Sequence, residues 1–138
     1  MKKKLKSILL VDDDPDCNFF HERLLKKMDC VEQIHTASDG LIAIDFLRST
    51  INQEHPSPSI IFLDINMPRM NGWDFLNEYQ KLTDKQKAEI VLIMLTTSLN
   101  PDDMEKGLSN PDVKGFYNKY LDKEAIKKII NEHFQDHL

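Results

Sequence analysis

The sequence has few cysteines, no excess of basic charge and no long hydrophobic run. Its two cysteines, Cys17 and Cys30, are not spaced as metal ligands, which favours free thiols in a reducing compartment. The formal net charge of −5 argues against a general nucleic-acid binder, since such proteins carry clustered lysine and arginine. The apolar segment at residues 7–11 is followed at once by three aspartates, so neither a signal peptide nor a membrane span fits there. These absences predict a cytoplasmic protein that binds neither DNA nor a membrane.

Short apolar segments alternate with segments of helical periodicity along the whole chain. Strands are predicted at residues 7–11, 31–36, 60–63, 90–95 and 113–117, and helical patterns begin after them near residues 14, 39, 72, 100 and 122. In the first helical pattern the apolar stripe consists of Cys17, Phe20, Leu24 and Met28. Five strands that are each followed by a helix indicate an α/β fold with a mainly parallel sheet covered on both faces.

Polar residues stand directly after four of the predicted strands. The carboxyl ends of parallel strands share one edge of the sheet, where ligands bind in such folds, so these side chains are expected to meet there. Asp14 stands ahead of Pro15 and is better explained as a helix cap than as a ligand. The residues expected at this edge are Asp12, Asp13, Asp64, Thr96 and Lys119.

Aspartates gathered in this way need a compensating charge. Two carboxylates ~4 Å apart repel by about 4 kcal/mol at an effective dielectric constant near 20. A cluster of oxygen ligands open to water suits Mg²⁺, and Mn²⁺ or Ca²⁺ could substitute. With a hydroxyl and a lysine beside it, Asp64 is a plausible nucleophile toward phosphorus. Each residue alone would be a turn, cap or surface residue, so the prediction depends on their meeting.

Five segments, taken in order, resemble the receiver domains of two-component response regulators of the stand-alone type. They are residues 8–15, 61–68, 70–72, 94–98 and 115–119. The resemblance covers about residues 7–135, and we expect residues 1–138 to form one domain. It implies a flavodoxin-like (βα)5 doubly wound parallel sheet with the strand order 2-1-3-4-5.

The resemblance also implies a role for each matched residue. Asp64 would accept a phosphoryl group from a sensor histidine kinase or a phosphotransfer protein. Thr96 and Lys119 would contact that group, and Phe116 would move inward together with Thr96. Asn66 and Ser98 would tune the lifetime of the phosphoryl group. The metal would be held by Asp12, Asp13, Asp64 and the backbone carbonyl of Asn66, with Asp12 acting mainly through a water.

The sequence departs from the family at Tyr120, where a proline usually follows the lysine. Because a cis bond that does not involve proline costs about 2.5–4 kcal/mol, a trans Lys119–Tyr120 bond is the default expectation. No output domain is expected after the last helical pattern. Output is therefore expected through contact with an unknown downstream protein at residues 100–121, from a monomer or a weak homodimer.

Three alternatives remain open at this point. A phosphatase with an aspartate nucleophile would need a second acid two residues after it, where Asn66 stands. An interaction module that no longer accepts phosphate is disfavoured because all four matching site residues are present, namely Asp13, Asp64, Thr96 and Lys119. A flavin-binding protein is disfavoured because no loop rich in glycine and serine follows the first strand.

Overall fold

The computed structural model describes residues 4–67, 69–87, 91–96 and 101–134. Five parallel strands form one sheet in the order β2-β1-β3-β4-β5, which confirms the predicted flavodoxin-like architecture. The strands are β1 (Leu5–Val11), β2 (Val31–Ala37), β3 (Ile60–Asp64), β4 (Val91–Thr96) and β5 (Val113–Asn118). The helices are α1 (Pro15–Met28), α2 (Gly40–Arg48), α3 (Gly72–Tyr79), α4 (Pro101–Leu108) and α5 (Lys123–His133).

The two faces of the sheet carry two separate apolar clusters. Successive side chains of a strand point to opposite faces, so a strand covered on both sides needs apolar residues throughout. In β3, Ile60 and Phe62 pack in the cluster that includes α1 and α5, whereas Ile61 and Leu63 pack in the cluster that includes α2 and α3. This explains why the strand is an uninterrupted apolar run that ends at Asp64.

Several helices begin at a side chain that accepts a hydrogen bond from their first turn. The Asp14 carboxylate accepts from the Asp16 amide at 2.9 Å, with Pro15 in the first helical position, as predicted. Asp39, Asn71 and Asp122 cap α2, α3 and α5 in the same way. Asn100, the predicted start of the fourth helix, lies outside the described residues.

The buried face of α1 differs from the predicted stripe. Phe20 is 45% exposed, and the buried side chains include those of Asn18 and His21. Both polar side chains have partners: Asn18 Nδ2 donates to the Asp12 carbonyl at 2.9 Å, and His21 Nε2 accepts from the Leu121 amide at 3.0 Å. Buried polar groups are tolerated when they are hydrogen-bonded. The helix therefore buries the face that carries Asn18 and His21 and leaves Phe20 exposed.

Gly72 lets α3 begin directly against the end of β3. A Cβ atom at this position would lie 2.8 Å from Ile65 Cα and 2.9 Å from the Asp64 carbonyl oxygen. The Gly72 amide donates to the Ile65 carbonyl at 2.7 Å, which fixes the close approach. The backbone at Asp64 is therefore supported from the side of α3.

Across the described ranges, no helix has both the length and the apolar character needed to cross a lipid bilayer.

Candidate functional site at the carboxyl ends of the strands

Three aspartates lie together at the carboxyl edge of the sheet. One carboxylate oxygen from each of Asp12, Asp13 and Asp64 lies within 4.8 Å of the others. Asp12 and Asp64 are each 3% exposed, whereas Asp13 is exposed. An open cleft of about 480 Å³ adjoins Asp12 and Asp13. The cluster is therefore buried at Asp12 and Asp64 and open to solvent at Asp13. Three oxygen ligands with room for water fit a hard divalent cation such as Mg²⁺.

The main chain and the carboxylate of Asp12 are held by neighbouring backbone and side chains. Its amide donates to the Ala37 carbonyl of β2 at 3.0 Å, and its carbonyl accepts from Asn18 Nδ2 at 2.9 Å. Its Oδ1 atom accepts from the Asp14 amide at 2.9 Å. These contacts with β2 and α1 fix the direction of the Asp12 side chain toward the cluster.

Lys119 joins the acidic cluster from the loop after β5. Its Nζ atom lies 2.7 Å from Asp12 Oδ2 and 3.0 Å from Asp64 Oδ1, and its side chain is 9% exposed. The backbone amide of Lys119 donates to the Thr96 carbonyl at 2.7 Å, which ties the loop to β4. Burial acts to lower the pKa of Lys119, but the ion pairs with Asp12 and Asp64 outweigh it and raise the pKa. The ammonium therefore stays charged between the two buried carboxylates.

The Asp64 carboxyl has a pKa raised to about 6. Burial is the largest cause, the negative charge of Asp12 adds to it, and Lys119 acts in the opposite direction. Most of Asp64 is still ionised at neutral pH because that pH lies above the raised pKa. The group therefore combines a nucleophilic charge with a poorly solvated position.

Thr96, Phe116 and Asn66 surround this centre. Thr96 is buried at the end of β4, opposite Asn118 of β5 in the register. Phe116 is buried and packs in the cluster of the α2 and α3 side, so the structure holds the ring in the inward position. Asn66 is exposed, and its amide faces Asp64 Oδ1 at 3.4 Å. Ser98 and Pro68 lie outside the described residues.

The expectation of a trans Lys119–Tyr120 bond is wrong, because this peptide bond is cis. The intrinsic preference for trans is that of a peptide unit without tertiary contacts. Here Lys119 is held through Thr96 and the two aspartates, and Leu121 is held through His21. The sequence alone does not display these contacts on the two sides of the bond.

Sequence reasoning missed two residues near the site. His21 holds the loop after Lys119, and its position four residues after Cys17 was the one available signal. Arg69 pairs with Asp39, the residue that caps α2, and so links the loop after β3 to that helix. Burial acts to raise the pKa of Asp39, but the hydrogen bond from the Ile42 amide and the pair with Arg69 together outweigh it and lower the pKa.

Comparisons with known proteins identify the family and the fold of this chain. A family model described as the response regulator receiver domain matches residues 8–131. Response regulator Rcp1 of Synechocystis is 34% identical over 100 residues, which are 72% of this chain and 67% of Rcp1. A probable methanogenesis regulatory protein, FilR2 of Methanothrix harundinacea, is 28% identical over 125 residues, or 91% of this chain and 79% of FilR2. The crystal structure of a two-component response regulator from Cytophaga hutchinsonii has a TM-score of 0.79 at 28% identity, with 94% of this chain and 97% of that chain covered.

Proposed function

We propose that this chain, which belongs to the response regulator receiver domain family, is a phosphoacceptor switch in which Asp64 receives a phosphoryl group. The observation that carries the proposal is the Lys119 ammonium between Asp12 and Asp64, at 2.7 and 3.0 Å, beside an exposed Asp13. Membership of the family supports a part in two-component signalling, and the geometry supports the choice of Asp64.

The proposed step transfers a phosphoryl group without any net oxidation or reduction. A carboxylate oxygen of Asp64 forms a bond to phosphorus while the bond from phosphorus to the imidazole nitrogen of the donor breaks, and the nitrogen keeps the electron pair. The donor is a sensor histidine kinase or a phosphotransfer protein. Lys119 and Thr96 contact the phosphoryl oxygens, and the step requires ionised Asp64, which predominates at neutral pH.

The acidic cluster fits a magnesium ion by the number and kind of its oxygen ligands. Asp12, Asp13 and Asp64, with the backbone carbonyl of Asn66, would hold Mg²⁺, which when bound supplies positive charge for the phosphoryl oxygens. Asp12 is proposed to act mainly through a water, because its Oδ1 and Oδ2 atoms already contact the Asp14 amide and Lys119. Mn²⁺ or Ca²⁺ could take the same place.

Phosphorylation is proposed to change the protein surface at residues 100–121. The phosphoryl group adds about −1.5 to −2 charges and three acceptor oxygens next to Thr96 and Lys119. Movement of these two residues would shift the loops after β4 and β5 and alter the packing of Phe116. Reversing a 1:99 equilibrium to 99:1 needs about 5.5 kcal/mol of differential stabilisation, so a partial shift is proposed. An unknown downstream protein would read this surface in the cytoplasm.

The test of the phosphoacceptor assignment is a mass measurement of the intact protein. The wild type, Asp64→Asn and Asp45→Asn are incubated with a small acyl-phosphate donor and Mg²⁺. Asp45 is an exposed aspartate of α2 and serves as the matched control. One phosphoryl adduct is expected on the wild type and on Asp45→Asn, and none on Asp64→Asn.

Other outcomes identify the competing functions. A wild type that stays unmodified would indicate an interaction module that does not accept phosphate. Continuous turnover of an added phosphoester would indicate an enzyme, although Asn66 occupies the position where an aspartate-dependent phosphatase would need its second acid. An adduct that survives Asp64→Asn would reject the assignment of the acceptor residue.

A further inference from the structure

We propose that His21 is a positioning residue of the phosphoacceptor site, which sets the reach of Lys119 by holding the residues after it against α1. This inference rests on the proposed function, because it concerns the lysine that would contact the phosphoryl group. His21 itself is expected to touch neither the phosphoryl group nor the metal.

The central contact joins two parts of the chain that are 100 residues apart. The Leu121 amide donates to His21 Nε2 at 3.0 Å, and His21 and Leu121 are each 2% exposed. A backbone donor buried to this extent destabilises the protein if it has no acceptor. The loop after Lys119 therefore cannot leave α1 without losing this hydrogen bond.

Tyr120, between Lys119 and Leu121, is also held by α1. Its ring centroid lies 5.1 Å from that of Phe20 in an edge-to-face arrangement and 5.6 Å from that of His21. A proline after the lysine would restrict φ through its own ring, which tyrosine cannot do. Phe20 and His21 of α1 restrain Tyr120 through ring contacts, and these contacts replace the restraint that a proline ring would impose on φ.

Lys119 is thus fixed on both sides along the chain. Before it, its own amide donates to the Thr96 carbonyl of β4 at 2.7 Å, and after it Phe20 and His21 hold the next two residues. The ammonium contacts at 2.7 and 3.0 Å leave little tolerance for displacement. A displacement of about 1 Å in a positioned group can cost as much as 100-fold in rate.

The hydrogen bond fixes the tautomer of His21. Because Nε2 accepts from the Leu121 amide, the proton of the neutral ring is on Nδ1, which lies 3.7 Å from Cys17 Sγ. Burial lowers the pKa of His21 to about 4, so the ring is neutral at neutral pH. The thiol of Cys17 is buried, and its pKa is raised to about 12 by burial and by Asp12, so it remains a neutral neighbour.

The test is a double-mutant cycle between His21 and Lys119. The rate of phosphorylation by a small acyl-phosphate donor is measured with Mg²⁺ for the wild type, His21→Leu, Lys119→Met and the double variant. His21→Leu is expected to slow phosphorylation about tenfold in the wild type and less than twofold in Lys119→Met, since the lysine through which it acts is then absent. His21→Gln, which keeps a side-chain acceptor, is expected to recover part of the rate.

Two further measurements separate positioning from a general loss of structure. Mg²⁺ binding, measured by calorimetry, is expected to persist in His21→Leu, because the contacts of Asp12 with Ala37, Asn18 and Asp14 do not involve Lys119. His35→Leu, the same substitution at a half-buried histidine of β2, is expected to keep the wild-type rate. If His21→Leu does not fold, Phe20→Ala takes its place in the cycle, since this exposed ring is the other restraint on Tyr120.

The outcomes of the cycle differ for the two proposals. A wild type that is phosphorylated while His21→Leu reacts at the same rate overturns the positioning role and leaves the phosphoacceptor assignment intact. A tenfold loss that is equal in both lysine backgrounds also overturns it. A wild type that is not phosphorylated at all overturns the proposed function itself.

Discussion

Phe116 of β5 packs against the backbone of α4 at Gly107. A Cβ atom on Gly107 would lie 2.9 Å from Cδ2 and 3.0 Å from Cε2 of the Phe116 ring, closer than carbon atoms normally approach. The glycine therefore provides the space in which the aromatic ring lies inward, and the packing of α4 against the ring depends on a missing side chain.

We predict that Gly107→Ala displaces Phe116 and lowers the free energy of unfolding by about 1–2 kcal/mol. Overpacking typically costs about 1–3 kcal/mol, and the higher helix propensity of alanine offsets up to about 1 kcal/mol of it. Urea unfolding measures the change. In a Phe116→Leu background the smaller side chain leaves room, so the same substitution is expected to cost less. An equal loss in the free energy of unfolding in both backgrounds would show that the position of the Phe116 ring does not require glycine at residue 107.

We predict that Asp64→Asn stabilises the protein in metal-free buffer at pH 8. The raised pKa of about 6 means that the native state disfavours the ionised carboxylate, and the ordinary value is 3.8. The contribution of this group to stability therefore falls as the pH rises from 3.8 to 6 and stays low above that. At 1.36 kcal/mol per pKa unit, the gain on removing the charge is about 1–3 kcal/mol.

Urea unfolding in EDTA, with Asp45→Asn as the control, measures this gain. Added Mg²⁺ at about 100 times its dissociation constant is expected to stabilise the wild type by about 2.7 kcal/mol, and Asp64→Asn much less. A metal-free Asp64→Asn variant that is less stable than the wild type would contradict the assigned cause of the raised pKa.

We predict that the stabilising effect of His21 is lost in acid. Its pKa is about 4 in the native state and 6.5 ordinarily, so between these values the unfolded chain binds more protons than the native protein. Stability from this group is complete above pH 6.5 and is lost as the pH falls to 4, by up to about 3 kcal/mol.

Comparison of the wild type with His21→Gln isolates this effect from that of Asp64, which has the opposite sign. The charged groups that act on His21 are Asp12, which raises its pKa, and Lys119, which lowers it. The stability difference between the two proteins is expected to shrink from pH 7.5 to pH 4.5. A difference that is constant over this range would mean that His21 titrates normally.

We predict that Gly72→Ala slows phosphorylation of Asp64. The new methyl group would meet Ile65 Cα at 2.8 Å and the Asp64 carbonyl oxygen at 2.9 Å, both of which are backbone atoms that cannot rotate away. Displacement of the end of β3 should lower the rate about tenfold or more, measured by the growth of the phosphoryl adduct over time. Asn77→Ala, at an exposed position of α3, is the control and should react at the wild-type rate.

The architecture and the edge where the aspartates lie could be predicted because both follow from local patterns. Apolar runs such as residues 60–63 mark strands covered on two sides, and residues after parallel strands must share an edge. The capping aspartates were equally visible, since Asp14 and Asp122 need only contacts within their own helices.

The part of the site that could not be predicted depends on partners distant in sequence. The position of His21, four residues after Cys17, does not show that it accepts from the Leu121 amide, and the greater hydrophobicity of Phe20 predicts the wrong buried face of α1. The isomer of the Lys119–Tyr120 bond could not be predicted either, because a residue pair without proline gives no local signal for a cis bond.

The site forms only when the strands pair in the observed register. Asp64 stands opposite Leu95, and Thr96 stands opposite Asn118. Side chains alternate across a strand. A slip of one residue between β3 and β4 would therefore place the Asp64 side chain on the opposite face of the sheet. Under the proposed function, a chain with a shifted β3–β4 register would not be phosphorylated. A phosphoryl adduct would therefore be found only on molecules whose sheet has the correct register.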